Sequence, residues 1–91
     1  MKYVVKPTKK FVKDLKRAEK RGYAIDQLTE VIRKLANGEP LPAKNRDHGL
    51  TGDYAGCREC HITPDWLLIY ELVEDAVILY LIRTGTHSDL F

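Results

Sequence analysis

The chain lacks any hydrophobic run approaching the roughly 20 residues needed to cross a membrane. Its first residues, Met1-Lys2-Tyr3-Val4-Val5-Lys6, contain no apolar stretch of the kind found in a secretory leader. A cytoplasmic protein with no membrane association is therefore expected. Only two cysteines are present, too few for a disulfide framework, and in that compartment both thiols are expected to be reduced. Internal repeats, low-complexity tracts and a Pro/Gly/Ser-rich linker are also missing. With 91 residues, the chain is expected to be one domain spanning residues 1–91 with a single modest core.

Net charge is low as well, at +2, but it is unevenly spread. Residues 1–21 carry nine Lys/Arg against two Asp/Glu, a balance of +7, and the remainder carries −5. A cationic first segment suits a polyanionic partner, and it equally suits a solvated helix face; charge alone leaves both open.

Tyr3-Val4-Val5 reads as a first strand, stopped by Pro7, and Thr8 is placed to cap a helix. From Lys9 to about Arg21, Phe11, Val12, Leu15 and Ala18 recur at helical spacing, and Gly22 closes the helix. A second helix is expected from about Ala24 to Ala36, with Leu28, Val31, Ile32 and Leu35 buried and Asn37-Gly38 at its end. The two form a helical hairpin. Glu39-Pro40-Leu41-Pro42 leads into a polar loop, residues 43–52, that holds Lys44, Arg46, Asp47 and His48. It is the one long irregular stretch.

The rest reads as strands. Tyr54 to Ile62 alternates, sending Tyr54, Arg58, Cys60 and Ile62 one way and Cys57, Glu59 and His61 the other. Thr63-Pro64-Asp65 is a turn. Trp66 to Leu72 is nearly continuously apolar, so a central strand is expected, and Ala76 to Ile82 is the last strand. The expected class is α+β, with order β-α-α-β-β-β, a mostly antiparallel sheet and the helical hairpin on one face.

Three histidines carry the candidate chemistry. His61 and Asp65 flank the turn between consecutive strands, and the antiparallel return of the last strand brings Arg83 and His87 toward them. By topology alone His48 is the weakest member, because its loop enters the sheet from the opposite end. A histidine titrates near neutrality, so two of them, an arginine and carboxylates suit cleavage of an RNA phosphodiester. One group deprotonates the 2′-hydroxyl, another protonates the leaving 5′-oxygen, and arginine balances the charge on phosphorus. No metal or cofactor is needed.

Cys57-Arg58-Glu59-Cys60-His61 has the C-x-x-C-H spacing of covalent haem attachment. Without export that role is not expected. Strand alternation also separates the two thiols, so they cannot jointly hold a metal. Trp66, Leu68 and Tyr70 share a strand face and are expected to pack against helices rather than stack on bases. Phe91, at the C-terminus, could enter the core or cap a base-binding pocket.

Four segments together are highly specific: His48-Gly49-Leu50-Thr51-Gly52, Cys57-Arg58-Glu59-Cys60-His61-Ile62, Pro64-Asp65-Trp66-Leu67-Leu68-Ile69-Tyr70, and Arg83-Thr84-Gly85-Thr86-His87-Ser88-Asp89-Leu90-Phe91. They resemble the YafQ branch of the RelE/ParE toxin superfamily, and the resemblance extends over the whole chain. It implies a RelE-like, microbial-RNase-type fold and a type II toxin that cuts messenger RNA in the ribosomal A site. The implied partners are the 70S ribosome and a DinJ-like antitoxin, the toxin being monomeric when free and part of a heterotetramer or larger complex when bound.

Carried over, His87, His48, His61 and Asp65 are the catalytic candidates. His87 would be the general acid, and His48 or His61, oriented by Asp65, the base. Arg83, Phe91, Glu59 and Arg58 are the substrate-contact candidates, and Lys9, Lys10, Lys13 and Lys16 would grip ribosomal RNA. The rival activity is that of a ParE-like protein, which shares the fold and inhibits DNA gyrase by binding. A third possibility is a regulatory module whose nuclease activity has been lost.

Overall fold

The computed structural model describes residues 2–91. Strand β1 (Val4–Pro7) leads into α1 (Lys9–Lys20) and α2 (Ile25–Ala36). A short strand β2 (His48–Gly49) follows, then β3 (Arg58–Thr63), β4 (Trp66–Val73), β5 (Ile78–Gly85) and a final helical turn, α3 (His87–Leu90). The sheet order is β1-β5-β4-β3-β2, parallel between β1 and β5 and antiparallel elsewhere. The expected α+β architecture is therefore present, with β2 and α3 added.

Local chemistry accounts for the hairpin. The Thr8 hydroxyl oxygen accepts a hydrogen bond from the Phe11 N–H at 3.1 Å, satisfying a free donor of the first turn of α1. The same hydroxyl donates to the Ile82 carbonyl at 2.8 Å, tying the helix start to β5. Gly22 takes φ 77° and turns the chain into α2, a conformation a side chain would oppose. Phe11 and Ala18 of α1 and Leu28, Val31, Leu35 and Ala36 of α2 are buried, as their spacing requires, and the α1 lysines are exposed.

The two sheet faces are buried differently. Against the helices lie Cys60, Trp66, Leu68, Tyr70, Leu79 and Leu81, in one continuous core with Tyr3 and the helix residues. Full burial of a Leu such as Leu68, 0% exposed, contributes about 2 kcal/mol. The opposite face has a smaller cluster of Leu67, Ile69 and Leu90, bordered by Leu50, Tyr54, Cys57 and Ile82. Both faces of β4 are thus covered, which explains its unbroken apolar run.

Three boundaries depart from the pattern. β3 begins at Arg58 rather than near Tyr54, because Gly52–Tyr54 coil into a 3-10 turn and Gly56 sits at φ 90°. Tyr54 consequently shares a cluster with Cys57, not with Cys60. β5 begins at Ile78, since Val77 occupies the preceding turn at φ 56°. In the pairing of β4 with β5, Ile69 faces Arg83 but Tyr70 faces Leu81, so Ile82 is an inserted bulge residue.

Candidate active site

Strand β2 is two residues long, yet it fixes one third of the site. His48 pairs with Glu59 across β2 and β3, which puts its ring 6.5 Å from that of His61. Connectivity alone suggested that His48 lay at the wrong end. The loop before it folds back along β3 instead, and the Asn45 side-chain amide donates to the His61 carbonyl at 2.7 Å. Glu59 and His61 sit two apart on β3, on the face away from the helices. From the other direction α3 brings His87 until its ring lies 5.8 Å from that of His61. The three histidines form a row with His61 in the middle.

Each ring is held by the same nitrogen. His48 Nδ1 lies 2.7 Å from the Arg46 carbonyl oxygen, His61 Nδ1 3.2 Å from the Pro64 carbonyl oxygen, and His87 Nδ1 2.8 Å from Asp65 Oδ1. Carbonyl oxygens only accept, so the facing Nδ1 carries the proton and Nε2 is left as the working nitrogen. Nε2 of His48 and of His61 both face Oε1 of Glu59, at 3.5 and 3.7 Å. Glu59 is only 5% exposed, so its carboxylate meets these rings in a partly dry setting. His87, by contrast, is 56% exposed over its side chain, open to a substrate.

Asp65 holds His87 rather than the His48 or His61 expected of it. Its Oδ1 also accepts the His87 backbone N–H at 3.2 Å. These bonds from His87 pull the Asp65 carboxyl below its ordinary range, so it stays an anion facing the ring.

The other candidates divide. Phe91 is 64% exposed and packs edge-on against Tyr54, 5.7 Å between centroids, so it is outside the core. With Lys10, Thr51, Asp53 and Leu90 that pair lines a groove of about 580 Å³. Arg83 is committed: its Nε and Nη2 donate to the two oxygens of buried Asp14 at 2.6 and 3.1 Å. Arg58 does not join the histidines. It lies on the opposite face of β3 from Glu59 and His61 and donates to Asp47 at 3.2 Å. Lys9, Lys10, Lys13 and Lys16 are all exposed on α1.

Residues without an obvious chemical signature hold this arrangement. Asp14 also accepts from Arg17 and from the Thr84 N–H, so one carboxylate joins α1 to β5. The Arg21 guanidinium grips Asp89 with bonds of 2.6 and 3.2 Å, and Asp89 also accepts the Thr86 N–H while the Thr86 hydroxyl accepts the Asp89 N–H. The Arg21 cation is the main reason that the Asp89 carboxyl is held far below its usual range. Thr86-x-x-Asp89 is a capping-box spacing, the signal that marks α3 in the sequence. Asp47 anchors the His48 loop by accepting from the Tyr70 hydroxyl at 2.6 Å.

The two thiols face opposite sides of the sheet, as the alternation required, and burial pushes the Cys60 thiol up to about 12. Neither is poised as a nucleophile or a joint ligand. Glu59, His61 and His87 do offer one ligand atom each within 4.8 Å of one another, a donor set suited to a divalent transition metal.

A small α+β domain with helices on one sheet face and a histidine–carboxylate row on the other has the design of a compact acid–base nuclease. Residues 3–91 match the model of a family described as a bacterial toxin of type II toxin–antitoxin systems, YafQ, and the chain belongs to that family. It is 43% identical over 82 residues to the mRNA interferase toxin YafQ of Escherichia coli K12, covering 89% of this chain and 87% of the relative. The E. coli DinJ–YafQ complex contains a chain that superposes with a TM-score of 0.90 at 39% identity, covering 98% of both. A metal-bound toxin from Helicobacter pylori superposes with a TM-score of 0.92 at 42% identity, covering 98% of this chain and 99% of its own. The resemblance read from the four motifs and the expected fold class both hold.

Proposed function

We propose that the chain is an endoribonuclease toxin that cuts messenger RNA in the ribosomal A site by acid–base chemistry without a metal. The observation that carries this reading is the row of three rings, each held through Nδ1. His87, paired with Asp65, stands on one side, and His48 and His61, backed by Glu59, on the other. Nε2 of His48 or His61 takes the proton of the 2′-hydroxyl, whose oxygen attacks the adjacent phosphorus. Glu59 then faces the imidazolium that forms. The P–O5′ bond breaks as Nε2 of protonated His87 delivers its proton to the departing oxygen. The products are a 2′,3′-cyclic phosphate and a 5′-hydroxyl end.

Arg83, held by Asp14, retains one guanidinium edge that can face the phosphate. Phe91 and Tyr54 offer an edge-packed pair on which a base can stack. Lys9, Lys10, Lys13 and Lys16 supply a sequence-independent hold on ribosomal RNA. The complex formed by the E. coli relative supports a DinJ-like antitoxin as partner. In this reading the free toxin is monomeric and its antitoxin complex a heterotetramer or larger. Among the described residues no helix is long and apolar enough to cross a membrane. The ribosomal substrate of this reading puts the activity in the cytoplasm.

Mapping mRNA 5′ ends after incubation with translating ribosomes, and again with naked mRNA, tests the reading. Ribosome-dependent cuts bearing 5′-hydroxyls are expected. Inhibition of gyrase supercoiling without any cut would transfer the protein to the ParE-like activity. Chelators should leave cleavage unchanged. Added zinc should inhibit it, because Glu59, His61 and His87 together would ligate the ion through nitrogens that the reaction uses. Loss of cleavage on chelation would overturn the metal-free mechanism.

A further inference from the structure

The two arginines expected to contact substrate each give part of their guanidinium to a carboxylate, Arg83 to Asp14 and Arg58 to Asp47. The catalytic row itself presents two carboxylates, Glu59 and Asp65, which repel a phosphodiester. A further cation close to the row would favour the approach of the backbone. Lys44 and Arg46 are exposed, and neither makes an ion pair among the described residues. They line a groove of about 430 Å³ whose other walls are Asn45, His61, Ile62, Thr63 and Pro64.

Two fastenings carry these side chains to the reacting groups. Asn45, buried between them, donates to the His61 carbonyl, and the Arg46 carbonyl holds His48 Nδ1. The backbone bearing the cations is thus stapled to both candidate bases. Arg46 also stands in the left-handed region at φ 47°, where glycine would be at ease and a side chain is strained. An arginine kept in such a position beside a reactive cluster points to use of its side chain.

We propose that Lys44 and Arg46 form a phosphate-binding arm that holds the RNA backbone next to the scissile bond, along the groove beside His61. The proposal rests on the nuclease reading of the same site. Each contact should contribute about 0.7 to the slope of log affinity against log salt for a single strand.

The test uses the full chain and a 2′-O-methylated oligoribonucleotide, which binds but cannot be cut for want of a free 2′-hydroxyl. Affinity is measured over a salt series for the wild type, Lys44→Ala, Arg46→Gly and Arg46→Lys. Arg46→Gly relieves the strained backbone, so its melting temperature should hold or rise while its salt slope falls by about 0.7. Lys44→Ala should lose the same amount, and Arg46→Lys should keep the wild-type slope. Unchanged affinity and slope in both Lys44→Ala and Arg46→Gly, or no binding by the wild type, would overturn the arm. The nuclease reading fails separately, if the wild type leaves both ribosome-bound and naked mRNA uncut.

Discussion

The two faces of the sheet are built on different principles, although they share the same strands. The helix-covered face is a continuous apolar core in which Leu68, Tyr70 and Leu79 meet α1 and α2 over broad contact. The open face has a smaller apolar cluster, Leu67, Ile69 and Leu90 bordered by Leu50, Tyr54, Cys57 and Ile82, and its histidines are held by polar ties to single atoms. Broad packing tolerates small displacements and resists opening. Single-atom ties fix angles and protons but yield easily. Stability therefore belongs mostly to the first face and chemistry to the second, and the two should separate under substitution.

The largest separation is expected at His87. His87→Ala removes the exposed acid and little packing, so cleavage should fall by about 10²–10⁴-fold with the melting temperature nearly unchanged. Cleavage mapping beside a thermal melt checks both halves. A variant that retains activity would remove His87 from the chemistry. On the covered face, Leu68→Ala should cost about 3 kcal/mol and lower the melting point by roughly 15 °C, while the protein that stays folded cuts at the normal rate. If its rate fell as far as that of His87→Ala, the faces would not be independent.

Legibility from sequence follows the same division. Burial on the covered face leaves a periodic trace, so α1, α2 and β4 could be read from Phe11, Leu28, Leu35 and the run Trp66 to Leu72. On the open face, β2 has two residues and exists because His48 and Gly49 find partners on β3. No periodicity can announce so short an element, and His48 consequently looked remote. α3 is too short to be stable alone; its trace is the capping spacing of Thr86 and Asp89, not a hydrophobic stripe. The histidines were legible as residue types and Asp65 as a member of the site. Which ring Asp65 holds, and that Asp14 and Asp47 occupy the two arginines, depended on a bulge and a loop path that only tertiary contacts decide.

A smaller effect should appear where the faces are joined. Arg21, at the end of α1, reaches Asp89 and so sets the angle at which α3 offers His87. Arg21→Ala should lower kcat about tenfold with KM little changed, because the acid is displaced and not removed. Arg21→Lys should recover part of the loss. A fall in KM-dependent binding alone would instead make Arg21 a substrate contact.

The smallest effect, and the sharpest on where the weak face begins, is expected in acid. Asp65 and Asp89 both have depressed carboxyl values in the folded chain, the first through His87 and the second through Arg21. Each therefore contributes stability that is fully present above the unfolded carboxylate value, about 3.9, and is lost as pH falls through the lower folded value. Both contributions act on α3. Lowering the pH from about 4 toward 2 should release this turn, seen as loss of the Phe91 and His87 amide signals, before the resonances of Leu68 and Leu79 change. Asp89→Asn keeps an oxygen for the cap but gives up the carboxylate held by Arg21, so its α3 should already be loosened at neutral pH and show a shallower acid transition. If α3 and the helix-covered core instead melt together at one pH in both proteins, the open face is not an independently yielding layer, and the polar ties must be supported by the core beneath them.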